Sequence, residues 1–212
     1  FLVVFAAHSL FTYQTAVANA RSNVEREAHN IRAVLMATRR VYHQQFIKSG
    51  LPVNDTTVGF LPAHALSRIS KDFPQWTGSG LVFNNVSDRA RNPDNAADET
   101  ELAAMNFYRE NPDVKERFVL VDAENNGEFY HYTQPIWIED YCLKCHGKQP
   151  DAPAGIAARY DSSYGYELGD LRGVMSIKIP SKTAHQQAWA AFWQGMLVDL
   201  GGYFGAFVLV YA

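Results

Sequence analysis

An α+β fold is predicted, with a long N-terminal helix, a core built on an antiparallel sheet, and a C-terminal helix apolar enough to enter a membrane. Three observations predict it. Residues 13–48 contain no Gly or Pro, and Val24, Ala28, Ile31, Leu35, Thr38 and Tyr42 recur near helical spacing. The period then changes: residues 117–123 (RFVLVDA) and 128–138 (EFYHYTQPIWI) are β-rich and flank Glu-Asn-Asn-Gly, the pattern of a hairpin with a Gly-containing turn. Residues 188–212 (AWAAFWQGMLVDLGGYFGAFVLVYA) carry one formal charge, Asp199. That stretch has the length a membrane span needs, with Trp189 and Trp193 where an aromatic belt sits.

The elements follow in order. Residues 1–11 (FLVVFAAHSLF) are apolar but too short to span a bilayer. They read as the end of a membrane helix whose beginning precedes Phe1, with a signal-peptide remnant or a buried amphipathic start as alternatives. The helix over 13–48 is too long to pack on one small domain throughout, so a partner helix from a second copy is expected to bury the rest. Residues 49–59 form a loop punctuated by Gly and Pro. A short helix over 62–72 has Pro62 in its first turn, and residues 81–87 suit a strand. A polar loop over 88–98 leads to a helix over 98–111, with Asp98 and Glu101 at capping-box spacing. A last strand over 173–180 runs into a helix from Lys182. The predicted organisation is 1–12 membrane-helix end, 13–49 long helix, 50–181 core domain, and 182–212 helix and span.

Composition narrows the chemistry. The formal charge is −3 and no basic block is visible, so nucleic acid is not an expected partner. The two cysteines, Cys142 and Cys145, are separated by two residues, which excludes a disulfide framework. Together with the next residue they form Cys142-Leu143-Lys144-Cys145-His146, the C-x-x-C-H attachment signature of c-type haem. Two thiols at this spacing add to the two vinyl groups on one porphyrin edge. The adjacent histidine then lies under the ring as an axial iron ligand. A Cys-type zinc site needs a second ligand pair that the chain lacks, and a thioredoxin-like pair wants a βαβ setting that is absent. One covalently attached haem c is the expected cofactor. Such attachment takes place outside the bacterial cytoplasm, which puts the core domain in the periplasm, anchored to the inner membrane by the apolar ends.

Beyond the motif, the chain resembles the c-type-haem, PAS-like sensor domains in periplasmic portions of bacterial histidine kinases, diguanylate cyclases and chemotaxis receptors. The residues that carry the resemblance span roughly 33–180. They are Leu61-Pro62-Ala63, Arg91-Asn92-Pro93-Asp94-Asn95, the strand 128–135, the haem motif with Gly147, Asp151-Ala152-Pro153, and Gly165-Tyr166-Glu167-Leu168-Gly169-Asp170 with Gly173. The resemblance implies a PAS-like sheet with haem held against it, a long N-terminal helix, and dimerisation through helices.

A second axial ligand is expected to be His or Met. His64 is the first candidate, because the family pattern brings that short helix towards the haem. His43 on the long helix is the runner-up, Met36 lies two turns earlier, and an open or water-bound position is the remaining alternative. His131 alternates with Phe129 and Thr133 on a strand and is read as a pocket wall or propionate partner. Arg91, Asn95 and Tyr160 are candidate propionate donors, against the alternative of a turn that holds itself together. His8, His29 and His185 receive no role. Gly201-x-x-x-Gly205 lets helices approach closely, and Asp199 is read as interfacial or as a helix–helix contact.

Two functions of different class follow. One is a haem-based redox or gas sensor input module, a homodimer that signals through its membrane helices and responds to a diatomic ligand or redox partner. The alternative is a membrane-anchored monohaem electron-transfer cytochrome, an accessory subunit of a respiratory or photosynthetic complex. No catalytic set specific enough to indicate an enzyme is present.

Overall fold

The computed structural model describes residues 2–123 and 127–211. Helix α1 (Leu2–Ser49) is continuous over 48 residues, about 72 Å at 1.5 Å per residue. The apolar start and the polar stretch after it are therefore one rod. After a 3₁₀ turn at Val58–Phe60 comes α2 (Pro62–Asp72), with Pro62 in the first turn, where its missing N–H has no intrahelical partner to lose. Strand β1 (Val82–Val86) leads through the polar loop to α3 (Glu99–Glu110). The predicted capping box forms there: the Asp98 carboxylate accepts from the Glu101 amide and the Glu101 carboxylate from the Asp98 amide, both at 3.0 Å. Strands β2 (Arg117–Ala123) and β3 (Gly127–Trp137) follow. Of the expected turn between them, residues 124–126 lie outside the described residues, and Gly127 opens β3 at φ +66°. Helices α4 (Asp140–His146) and α5 (Ala154–Ala157) precede β4 (Leu171–Pro180) and α6 (Ser181–Tyr211).

The sheet is antiparallel with order β1-β4-β3-β2. Strand alternation gives it two faces. Phe83, Tyr130, Tyr132, Met175, Ile177 and Ile179 pack against Ala20, Val24, Ala28 and Leu35 of α1, Leu66 of α2 and Ala184 of α6. On the opposite face Val174 packs against Met105 and Tyr108 of α3. The Tyr108 hydroxyl donates to the Thr133 carbonyl at 2.7 Å.

The N-terminal part of α1 packs on α6 of the same chain. The two run antiparallel: Tyr13 meets Trp189 and Phe192 at ring separations of 5.4 and 5.9 Å, and His8 Nε2 lies 2.7 Å from Asp199 Oδ2. Asp199 is thus a helix–helix contact, and His8, assigned no role from the sequence, is its partner. Small residues such as Ala20, Ala184 and Ala188 sit in this seam. Ser181 follows β4 directly, so sheet and helix pair are mechanically continuous. Among the described residues α6 is the helix long and apolar enough, by length and composition, to span a membrane.

Candidate cofactor site

Helix α4 places Cys142, Cys145 and His146 at i, i+3 and i+4, on one side of a short helix. All three line a cavity of about 530 Å³ between α1, α2, α4 and the end of the sheet. That volume is within the roughly 300–1,000 Å³ typical of small-molecule and cofactor pockets. Its apolar wall includes Phe46, Leu61, Ile136 and Ile138.

The orientation of His146 is set by the loop after α5. Its Nδ1–H donates to the Ser163 carbonyl at 3.0 Å. This leaves the Nε2 lone pair free for a metal, the usual arrangement of a ligating histidine. Burial, with Arg172 and Arg91 adding to it, lowers the imidazole pKa to about 3, so the ring stays neutral and ligand-competent. Ser163 holds φ +59°, a left-handed conformation uncommon for a non-glycine residue, and its buried hydroxyl donates to the Arg89 carbonyl. The α4 terminus is tied to the same loop through Gly165 N to Gly147 O (2.8 Å) and Tyr166 N to His146 O (3.1 Å).

Arg91 joins these pieces. Its guanidinium donates to the carbonyls of Cys145 (2.6 Å), Ser162 (3.0 Å) and Ser163 (3.1 Å). Expected as a propionate donor, it lines the cavity and also clamps the helix carrying the thiols to the loop that orients His146. Asn95 also lines the cavity, but its Oδ1 accepts from Asn84 at 3.1 Å, so it holds its own turn together. Tyr160 lines the cavity with its hydroxyl 2.8 Å from His64 Nε2.

His64 and His43, the expected candidates for a second axial ligand, both line the cavity. His64 stands in the first turn of α2, its pKa lowered by burial and by Arg159. His43 stands on α1 with its ring 4.7 Å from that of Tyr141, its pKa lowered by burial, Arg39 and Lys144. Met36 packs against the main core and does not line the cavity. His131 is the clearest correction. It is 2 % exposed on the sheet face under α3, its Nε2 lies 2.9 Å from Ser176 Oγ, and it is no part of the cavity wall. The tyrosines at 130 and 132 take the face shared with Ile136, and His131 takes the other.

Two cavity residues carried no sequence signal. Arg172 precedes Gly173 on β4, and Arg39 lies one turn before His43 on α1. Burial lowers the Arg172 pKa, yet among the described residues its guanidinium has no ion pair or hydrogen bond. With Arg91 and Lys144 they make the lining strongly cationic, Asp151 being its one acidic residue. The donor set fits covalently held haem, the group the motif implies: two thiols and a free imidazole nitrogen at an apolar cavity, with guanidinium groups suited to carboxylates. Among the described residues no group of three or more His, Cys, Asp and Glu is placed to hold a bare metal ion.

Residues 17–180 match the family model described as Tll0287-like. The chain belongs to the Tll0287-like family. The matched segment contains the whole cavity motif and every stretch that carried the resemblance to sensor domains. Family membership supports a relation to a haem protein, without making the chain specifically a PAS-like sensor domain. A solved structure, the cyanobacterial haem-protein Tll0287, is similar over 73 % of this chain and 95 % of its own, at 22 % identity and a TM-score of 0.55. At that identity the likeness concerns the fold. No curated protein matches the chain.

Proposed function

We propose that this chain is a membrane-anchored c-type haem protein of the bacterial periplasm that acts as a redox or gas sensor input module. The observation that carries the reading is His146, with Nδ1 committed to the Ser163 carbonyl and Nε2 unpaired at the cavity, beside both thiols. Cys142 and Cys145 would hold the haem through thioether links to its two vinyl groups, an addition of S–H across each double bond that needs no oxidant. His146 would bind the iron through Nε2, and His64 and His43 are the two other imidazoles that line the cavity. Arg172 and Arg39 line the cavity and would suit the haem carboxylates. When bound, haem iron supplies one-electron exchange or a site for a diatomic ligand. No catalytic step belongs to this reading.

The domain is PAS-like in this proposal, and the antiparallel pair α1 and α6 inserts in the inner membrane. Direct continuity of β4 with α6 supports a sensory role, because a change at the cavity end of the sheet is passed to the membrane helix without a linker. Two copies associate through these helices. The electron-transfer reading makes the opposite demand on the iron, a saturated coordination sphere that ignores carbon monoxide.

The test is made on protein matured in a host that attaches c-type haem. Haem should remain on the chain in a denaturing gel. A reduced pyridine haemochrome should report two thioether links, and one in Cys142→Ala or Cys145→Ala. Haem that separates from the denatured wild type sinks the reading. Failure of the reduced protein to bind carbon monoxide decides for electron transfer.

A further inference from the structure

His64 and Tyr160 come from distant parts of the chain, the first turn of α2 and the end of the α5 turn, and meet at the cavity with 2.8 Å between Nε2 and the phenol oxygen. Tyr160 is the anchored member. Its amide bonds the Ile156 carbonyl at 3.1 Å, and the guanidinium carbons of Arg91 and Arg159 lie 5.5 and 5.9 Å from its ring centroid. Arg159 is in turn paired with Asp55 in the loop before α2. The phenol ring is therefore flanked by Arg91, from the loop after β1, and by Arg159, which is tied to the loop that leads into α2.

The imidazole Nε2 has one bonding direction in the ring plane. It either accepts the phenol proton with its lone pair or carries a proton and donates it. In both cases that nitrogen is not free to bind a metal. Resting on the haem reading above, we propose that Tyr160 is a positioning residue that withholds His64 from the iron and so keeps the sixth coordination position open to a small diatomic ligand. With the phenol as donor, release would be an exchange of partners: the O–H···N hydrogen bond breaks, the Nε2 lone pair becomes available to the iron, and the phenol keeps its proton. No electron moves, so oxidant and reductant are not required.

This assigns the pair a purpose that a plain axial histidine does not have. A side chain meant to stay on the iron gains from a partner at its other ring nitrogen, as His146 has in Ser163. His64 is bonded instead through the nitrogen that commonly ligates.

The holoprotein tests it by absorption spectra of the dithionite-reduced state and by carbon monoxide titration. The wild type and His64→Ala should both show a five-coordinate haem with the same band positions. Tyr160→Phe should gain the bands of a six-coordinate bis-histidine haem. Its apparent carbon monoxide affinity should fall about tenfold or more, because only the fraction with His64 off the iron is competent. Tyr160→Phe combined with His64→Ala should return to the wild-type spectrum. Identical spectra and affinities in the wild type and Tyr160→Phe overturn the proposal. So does a six-coordinate wild type, whether its sixth ligand is lost in His64→Ala or in His43→Ala. His64→Ala in the otherwise unchanged chain tests the proposal even where Tyr160→Phe does not fold. Covalent haem in every variant keeps a negative result here separate from the haem reading, whereas its absence from the wild type overturns both.

Discussion

His131 is buried on β3 and His146 is half-buried at the end of α4; both are hydrogen-bonded and desolvation keeps both neutral, yet only His146 lines the cavity. His131 sits under α3 with Ser176 as its partner and no cavity beside it. His146 gives one nitrogen to a backbone carbonyl and keeps the other at the wall of a cavity about 530 Å³ in volume. Desolvation and a depressed pKa are therefore shared by a cavity residue and a core residue. What distinguishes them is where the second nitrogen points and what space lies in front of it.

The comparison is most sharply broken by paired substitutions. His146→Ala should remove the proximal ligand and change the Soret and visible bands outright. His131→Ala should leave the spectrum unchanged while lowering stability by about 2–4 kcal/mol, through a void and a stranded Ser176 hydroxyl. A changed spectrum in His131→Ala would put that residue back at the haem.

Acid separates them next. The His131 pKa is lowered to about 4, by burial first and then by Lys178, with Asp98 opposing and Arg117 adding a little. In the unfolded chain it returns to about 6.5. Above that pH neither state holds this proton and the group contributes nothing to the pH dependence. As pH falls from about 6.5 towards 4 the unfolded chain takes up the proton first, and stability drops by about 3 kcal/mol. His131→Gln, whose amide still meets Ser176, should flatten this limb in urea unfolding between pH 7 and 4.5. An unaltered limb would show that His131 is not its source.

The smallest effect concerns the support of His146. Arg91→Ala removes three bonds to carbonyls, two of them in the loop that orients the imidazole. A loss of about 2–3 kcal/mol is expected, with broadened haem bands and the chain still carrying haem. Arg91→Lys should recover only part of it, because an ammonium does not reproduce the planar fork. Full recovery by lysine would reduce Arg91 to a charge.

Much of the architecture was legible in local pattern. The helix over 13–48, the two β-rich runs, the capping box at Asp98 and Glu101 and the apolar end each appear where periodicity or capping chemistry put them. Those signals are written within a few residues of one another. Helix α4 was not anticipated. It is seven residues long and its sequence is dominated by the motif, so it has no amphipathic period to read. Strand β4 starts at Leu171, before Gly173, since ladder pairing with Trp137 extends it. The two faces of β3 were assigned the wrong way for His131: alternation gives which residues share a face, and only packing of α3 says which face is which.

By itself the sequence determined the pieces whose physics is local: helix and strand periods, the apolar end, and two thiols and an imidazole at the spacing one porphyrin edge requires. The tertiary structure alone decided what depends on distant segments meeting. It brought Ser163 to His146, bonded Arg91 to the carbonyls that frame the motif, set Tyr160 against His64, paired His8 with Asp199, and placed Arg172 and Arg39 at the cavity. The reason is that each of these contacts joins residues from separate elements or loops. Their pairing is specified by how the elements pack, a sum of many small burial terms, and not by any short run of residues.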